Sequence, residues 1–197
     1  MRKLCWAIGG LLLALAACSG PQEPATANGN PRPLRRPGYF AVLGFLEQQA
    51  GLLNRQRPAV QKQVSLFNGQ QETTRLTPQD WAKELQIFQQ ADINKPALRG
   101  QYAVDSAVTA GGLVRRTYRR LPTADHPVKE LSVLLAGPRV QELRATLRQD
   151  NPLVYSEKVF VLRCQPAGRL QQYSVRGVQK LVLFDSVRYA VRTQVLP

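Results

Sequence analysis

Histidine and cysteine, the side chains that most readily perform acid–base and nucleophilic chemistry near neutral pH, are scarce in this sequence. The one histidine, His126, lies in the segment from Thr123 to Pro127, whose composition is typical of a turn between two strands. Asp125 is its neighbour in sequence and is therefore badly placed to orient the imidazole ring. Cys164 follows an apolar segment, where a thiol usually packs as a small hydrophobe. We therefore expect no catalytic residue, and we interpret His126 as an exposed loop histidine.

The same scarcity disfavours metal and cofactor sites. A zinc site usually draws three or four ligands from histidine, cysteine and carboxylate side chains. The sequence also lacks a phosphate-binding glycine loop of the Walker type, a Gly-x-Ser-x-Gly elbow and a His-Glu-x-x-His helix. We expect neither a metal ion nor a cofactor, and we do not expect an enzyme.

One short segment, Asp92-Ile93-Asn94-Lys95, combines an acid, an amide and an amine just before a proline. One interpretation is a polar binding loop that uses Asp92, Asn94 and Lys95. The other is a helix stop, in which Asn94 accepts an unusual backbone angle and Asp92 or Lys95 makes local hydrogen bonds. The second interpretation is the one we favour.

Basic side chains form the largest group with chemical potential, because the chain carries a formal net charge of +14. Such an excess favours anionic partners. If the last strands are neighbours, Arg176, Arg188 and Arg192 line one solvent-facing strip, and Arg115 and Arg119 form a second candidate set. Guanidinium groups suit phosphate and carboxylate ligands. The alternative is a solvated sheet face whose arginines keep strand edges from aggregating.

Hydrophobic periodicity predicts the helices and strands that position these candidate residues. Apolar residues recur at three- and four-residue steps from Tyr39 onward and predict a helix. We expect it to end near Arg57, because a residue that precedes proline resists helical angles. Asn68-Gly69 then predicts a type I′ hairpin over residues 60–76. The apolar stripe of the first helix comprises Tyr39, Val42, Leu43, Leu46, Ala50 and Leu53.

A second helix is predicted to start at Thr77, which is placed to cap it. Pro78 suits the first turn, and Asp80 completes a capping box. The helix should end near residue 92. Three bulky residues at four- and three-residue steps form a stripe that we assign to the core, namely Trp81, Leu85 and Phe88.

Beyond Gly100 the sequence is typical of strands joined by short turns, which favours an antiparallel sheet. Residues 140–147 fit a strand or a helix. We predict an α+β fold in which two N-terminal helices, separated by a β-hairpin, pack on a mainly antiparallel sheet of about seven or eight further strands. The candidate strands are residues 101–108, 113–120, 128–135, 140–147, 154–162, 170–176, 181–184 and 187–195.

The N-terminus carries the most specific motif. Arg2 and Lys3 precede an apolar run at positions 4–15, which ends in the motif Leu15-Ala16-Ala17-Cys18. This segment resembles the lipobox of bacterial lipoproteins. The resemblance implies cleavage before Cys18 and lipidation of that cysteine, with two or three acyl chains as a stable anchor. The alternatives are ordinary secretory cleavage and a retained membrane helix, for which the apolar run is too short.

The lipobox also implies a domain organisation and a location. Residues 1–17 are the signal peptide, residues 18–37 are the lipidated cysteine with a proline-rich disordered tether, and residues 38–197 are a single α+β domain. Cys164 then remains the one free thiol. Ser19 replaces the aspartate that the family uses for inner-membrane retention, which implies the outer membrane, with the domain facing the periplasm.

We therefore expect a non-enzymatic envelope lipoprotein that contacts the membrane through its lipid anchor. Its domain is predicted to bind or assemble an anionic lipid, lipopolysaccharide, a cell-wall glycan or an envelope protein. Nucleic acid is disfavoured by the compartment. A carrier of acyl chains or lipoproteins is an alternative by fold-level analogy, and an envelope hydrolase that uses His126 or a pair of carboxylates is a less favoured one.

Overall fold

Strands dominate the part of the chain that the computed structural model describes, which comprises residues 38–65 and 70–197. Within these residues the fold is α+β, with one sheet of nine antiparallel strands and few helices. The predicted signal peptide, the lipidation site at Cys18, the tether and the Asn68-Gly69 turn lie outside the described residues. No helix of the described ranges has the length and apolarity needed to cross a membrane.

The first helix, α1 (Val42–Gln56), ends where the sequence predicts. Arg57 adopts a left-handed conformation (φ 47°), and its N–H donates to the carbonyl of Leu53. The buried stripe is broader than predicted, because it includes Phe45 and the amide of Gln49. Leu43 was assigned to this stripe and is instead 40% exposed, since it lies at the stripe's edge.

The buried amide of Gln49 attaches α1 to the sheet. Its Nε2 donates to the carbonyl of Gly168 at 3.0 Å, and its Oε1 accepts the N–H of Leu170 at 2.8 Å. Both bonds reach the turn between two late strands, more than a hundred residues away in sequence. This side chain therefore bonds the buried N–H of Leu170 and the partly buried carbonyl of Gly168.

The predicted second helix is much shorter than expected. The α-helical part, α2, is the single turn Trp81–Glu84, and the chain continues as a 3₁₀ helix over Gln86–Ala91. Asp80, not Thr77, is the N-cap, and its Oδ1 accepts the N–H of Ala82 at 2.8 Å. The core stripe is as predicted and is fully buried, comprising Trp81, Leu85 and Phe88.

The strands follow one another as a meander with one long-range closure. The sheet order is β2-β1-β9-β8-β7-β6-β5-β4-β3, so the N-terminal hairpin joins the last strand. Seven strands follow the hairpin, which agrees with the predicted number. The strands are β1 (Val60–Ser65), β2 (Gln71–Leu76), β3 (Tyr102–Val108), β4 (Val114–Arg120), β5 (Val128–Ala136), β6 (Arg139–Asp150), β7 (Val154–Cys164), β8 (Leu170–Leu181) and β9 (Val187–Val195).

The structure decides one ambiguous candidate strand and contradicts another. Residues 140–147, which fitted either a strand or a helix, belong to β6. Residues 181–184 were predicted as a separate strand, but after Leu181 the chain turns, because the N–H of Phe184 donates to the Leu181 carbonyl. Residues 182–186 therefore form the connection between β8 and β9.

The core lies between the helices and one face of the sheet. Phe88 of the 3₁₀ helix packs edge-to-face on Phe160 of β7 and on Tyr173 of β8, with ring centroids 5.3 and 5.8 Å apart. Trp81 meets the same tyrosine at 6.5 Å. Edge-to-face pairs of this kind contribute about 0.5–1.5 kcal/mol each beyond their buried area. We call this covered side the inner face and the opposite side the outer face.

Candidate functional site

Three of the predicted arginines lie together on the outer face of the sheet. On β8 and β9, Arg176 is opposite Ala190, and Arg188 and Arg192 are opposite Val178 and Ser174. Side chains alternate between faces along a strand, so all three arginines point away from the buried Tyr173. Each of them is exposed. We call Arg176, Arg188 and Arg192 the basic strip.

The arginines of the basic strip make no ion pair within the described residues, and the nearest acid that the register places on their face is Glu157 of β7, opposite Val178. The ion pairs found in the described ranges are Lys62–Glu84, Arg119–Glu130, Arg148–Asp150 and Arg163–Glu142. None of them involves a strip arginine, and the residues opposite the strip are small or uncharged. An exposed guanidinium keeps its charge at any physiological pH. The strip can therefore bind a phosphate or carboxylate without first breaking an ion pair.

The second predicted set does not join the strip. Arg115 and Arg119 are on β4, which three strands separate from β8. At about 4.8 Å per strand this places them roughly 19 Å away. Arg119 is also paired with Glu130 at 3.2 Å. The two arginine sets that the sequence singled out therefore form two separate surfaces.

The predicted polar loop is mainly a structural feature. Asp92 is buried, and its Oδ1 accepts the N–H of Asn94 at 3.4 Å, as expected of a local turn bond. Asp92 and Lys95 line a groove of about 710 Å³ along the 3₁₀ helix, which Asn94 does not line. The local bond to Asp92 agrees with the helix-stop interpretation, but Asn94 does not adopt the unusual backbone angle expected of it, since Arg57 is the only described non-glycine residue with a positive φ.

A smaller cleft, of about 310 Å³, lies between the 3₁₀ helix and the inner face of β8 and β9. A polar cluster forms part of it, since Lys62 Nζ and the Tyr173 hydroxyl both donate to Glu84 Oε1 at 2.8 Å. Burial, and then the adjacent Glu84 charge, raise the pKa of Tyr173, so this hydroxyl stays protonated. The apolar part of the wall comprises Ile87, Phe88, Val175 and Val191.

His126 is not the free loop histidine that the sequence indicated. It is partly buried, and its Nδ1 lies 3.0 Å from the Tyr102 hydroxyl, which also donates to the carbonyl of Val128 at 2.8 Å. Burial lowers the pKa of His126, and the nearby positive charges of Lys95 and Arg120 lower it further. Burial raises the pKa of Tyr102 to about 12. Burial and these positive charges therefore favour the neutral form of the ring.

Cys164 behaves as the sequence suggested. It lies at the end of β7, packs partly against the core and is a free thiol. Burial raises its pKa to about 11, so the reactive thiolate is scarce at neutral pH. Among the described residues no three histidine, cysteine or carboxylate side chains come close enough to hold a metal ion.

Sequence reasoning missed one exposed surface, the tip of the β8–β9 hairpin. Leu183 is 88% exposed and Phe184 is 69% exposed, and the residues on either side are also open to solvent. The available signal was Asp185-Ser186, a turn-forming pair directly after the apolar run. We call this surface the apolar tip, and it comprises Leu181, Val182, Leu183, Phe184 and Val187.

Comparison of the chain with protein-family models, with curated proteins and with solved structures gives no match. Function is therefore inferred from the geometry of the chain's own residues, in particular from the exposed basic strip and apolar tip and from the partly open 310 Å³ cleft.

Proposed function

We propose that this protein is an outer-membrane lipoprotein of the cell envelope, anchored through Cys18, whose domain binds an anionic envelope component without catalysing a reaction. The observation that carries the proposal is the basic strip: three exposed arginines on adjacent strands, none of them paired with an acid among the described residues. The lipobox-like segment Ala16-Ala17-Cys18 supports the location.

The spacing of the strip suits a ligand with several negative charges. Arg188 and Arg192 are four residues apart on β9, which is about 13 Å along an extended strand. Arg176 is on β8 opposite Ala190, midway between them and about 5 Å to the side. The paired strands thus fix the backbone positions of the three arginines in a triangle about 13 Å long and about 5 Å wide. Each can form a bidentate contact with a phosphate or carboxylate, as in lipid headgroups, lipopolysaccharide or acidic glycans.

An anchor would strengthen binding that is weak in solution. A flexible tether of the proposed length keeps the domain within roughly 25 Å of its acyl chains, or within about 60 Å if it is extended. Confinement of this kind raises the effective concentration of membrane-bound ligands. Modest contacts at the strip are then sufficient for stable association with the envelope surface.

The proposal is tested with the full-length protein extracted in detergent and applied to immobilised lipopolysaccharide. We expect retention that decreases as salt rises, because exposed charges are screened. Neutralising the strip (Arg176→Gln, Arg188→Gln, Arg192→Gln) should weaken binding about tenfold or more at physiological ionic strength. A matched control removes the same charge from exposed arginines elsewhere, as Arg115→Gln, Arg116→Gln and Arg139→Gln.

Equal losses in the two triple variants would show that net charge alone binds the ligand and would contradict a specific strip. Absence of salt-sensitive retention on lipopolysaccharide, anionic lipid and cell-wall sacculi, together with absence of a captured partner, would overturn the binding function. The anchor is tested separately by incorporation of labelled palmitate, which Cys18→Ala should abolish.

A second candidate function, carriage of an acyl chain, is favoured by the cleft beside Phe88. Its volume of about 310 Å³ lies at the lower end of the range for small-molecule pockets. Apolar walls and the Lys62–Glu84–Tyr173 cluster would suit a ligand with an apolar body and a polar head. Mass spectrometry of the extracted native protein separates the two functions, because a carrier retains a bound lipid in that cleft.

A further inference from the structure

The apolar tip combines large hydrophobic side chains with strong exposure. Leu183 and Phe184 are at the turn itself, and Val182 and Val187 are more than half exposed on either side. Isolated exposed apolar residues are ordinary, but a contiguous cluster marks an interaction site or an aggregation hazard. The core of the protein does not use these side chains, so their identity is not explained by folding.

A second turn extends the same surface. The N–H of Val182 donates to the carbonyl of Leu153 at 3.2 Å, which joins the β8–β9 connection to the turn between β6 and β7. Leu153 is itself 70% exposed. The two turns therefore present their apolar side chains at the same end of the sheet.

The hairpin that bears the tip is firmly built. Its two strands pair without interruption from Gln172 to Gln179, and Tyr189 lies across Gly177 so closely that a Cβ there would clash with the ring. An aromatic ring over a cross-strand glycine is a recognised stabiliser of strand pairs. The exposed side chains thus project from a rigid support and need little ordering on binding.

Positive charge follows directly behind the apolar residues. Lys180 precedes Leu181, and Arg188 follows Val187, and both are exposed. Arg188 is opposite Val178, three residues and about 10 Å back from Leu181 along the strand. One acid, Asp185, lies within the connection. Apolar side chains therefore lie at the turn, and basic side chains lie next to them on the two strands. A bilayer offers the matching order, with acyl chains inside and anionic headgroups outside them.

We propose that the apolar tip inserts into the interface of a lipid bilayer that carries anionic headgroups, with Lys180 and Arg188 at the headgroup level. Interfacial elements bury their apolar side about 5–10 Å into this boundary, while flanking basic residues stay at the headgroups. Basic residues near an anionic surface add further attraction. The inference deepens the proposed function, on which it rests, because it names the anionic partner as the membrane surface and orients the domain upon it.

The test measures how deeply one labelled residue lies in the bilayer, so attachment of the protein through its N-terminus does not alter the comparison between positions. A cysteine is introduced at the tip (Leu183→Cys) in a Cys164→Ala background of the full-length chain and labelled with a polarity-sensitive fluorophore. The matched control carries the cysteine at the opposite end of the sheet, as Val108→Cys, where the native side chain is 74% exposed. The Cys164→Ala parent, labelled in the same way, gives the background from the other cysteines.

The labelled proteins are mixed with phosphatidylcholine vesicles that contain phosphatidylglycerol and acyl chains with nitroxide quenchers. We expect a blue shift and quenching at residue 183 at least about threefold greater than at residue 108. Lys180→Gln with Arg188→Gln should reduce the quenching, and so should omission of phosphatidylglycerol. Equal signals at the two positions would overturn the proposal.

Other outcomes separate this inference from the proposed function. Leu183→Ser with Phe184→Ser removes the apolar side chains and leaves the basic strip intact, so retention on lipopolysaccharide should persist while vesicle insertion is lost. If the double variant instead keeps full insertion, the tip is not the inserting element and the proposal fails. Crosslinking of the residue 183 probe to an envelope protein, without lipid quenching, would likewise overturn it.

Discussion

Two phenylalanines on the same antiparallel sheet experience opposite environments. Phe160 of β7 is fully buried, with the ring of Phe88 5.3 Å away, whereas Phe184 at the end of β8–β9 is 69% exposed. The difference follows from coverage, because the 3₁₀ helix and α1 cover the sheet around Phe160 and no described element covers the apolar tip. Apolar residues under the helices therefore stabilise the fold, whereas apolar residues at the tip are exposed and can contact a partner.

Alanine substitution of Phe160 and of Phe184 should give the largest difference in the free energy of unfolding. Phe160→Ala removes a ring from the densely packed core and should lower the free energy of unfolding by about 3–5 kcal/mol. Phe184→Ala should change it by less than about 0.5 kcal/mol, because surface substitutions contribute little. Urea denaturation followed by circular dichroism measures both values. A loss at Phe184 similar to that at Phe160 would show that the tip belongs to the core.

Two adjacent glutamines sharpen the comparison within one helix. Gln49→Ala should lower the free energy of unfolding by about 1–3 kcal/mol, because it removes the partner of the buried Leu170 N–H and of the partly buried Gly168 carbonyl. Gln48 is exposed on the same helix, and Gln48→Ala should be nearly neutral. The same denaturation experiment applies. Equal effects would mean that helix propensity, not docking onto the β7–β8 turn, determines the stability of α1.

The smallest expected effect is a pH-dependent loss of stability caused by the partly buried His126. Burial and the charges of Lys95 and Arg120 lower the pKa of His126, while Asp125 and Asp92 oppose them. As pH falls below about 6.5, the unfolded chain takes up a proton that the folded ring resists, so stability decreases. Thermal melts across pH 5 to 8 should show this loss, and His126→Asn should reduce it. An unchanged pH profile in the variant would assign the acid sensitivity to other groups.

The parts of the fold that depend on local pattern were predictable. The end of α1 at a residue before proline, the core stripe of Trp81, Leu85 and Phe88 and the antiparallel order of the later strands all follow from short sequence windows. The pairing of β1 with β9 joins residues more than a hundred positions apart, and no local pattern encodes it. The amide of Gln49 was missed because polarity in a helix usually indicates exposure.

The candidate site was predictable only in part. Alternation along β9 placed Arg188 and Arg192 on one face, but only the paired strands show that Arg176 shares it. Residues 181–184 were predicted to be a strand because a run of four apolar residues gives the same sequence pattern in a buried strand and in an exposed turn. What separates the two cases is tertiary packing, which the sequence does not reveal locally.

The closure of the sheet by β1 and β9 has a consequence for how the protein folds. Strands β3 to β9 pair with sequence neighbours and can add one after another, whereas Val60 must meet Val195 across almost the whole domain. Long-range pairing of this kind incurs a large loop-closure entropy and slows folding. Until β9 has been synthesised, the hairpin of β1 and β2 has no strand of the sheet to join. Joining of this hairpin therefore depends on the last strand of the meander, and deletion of β9 would release it.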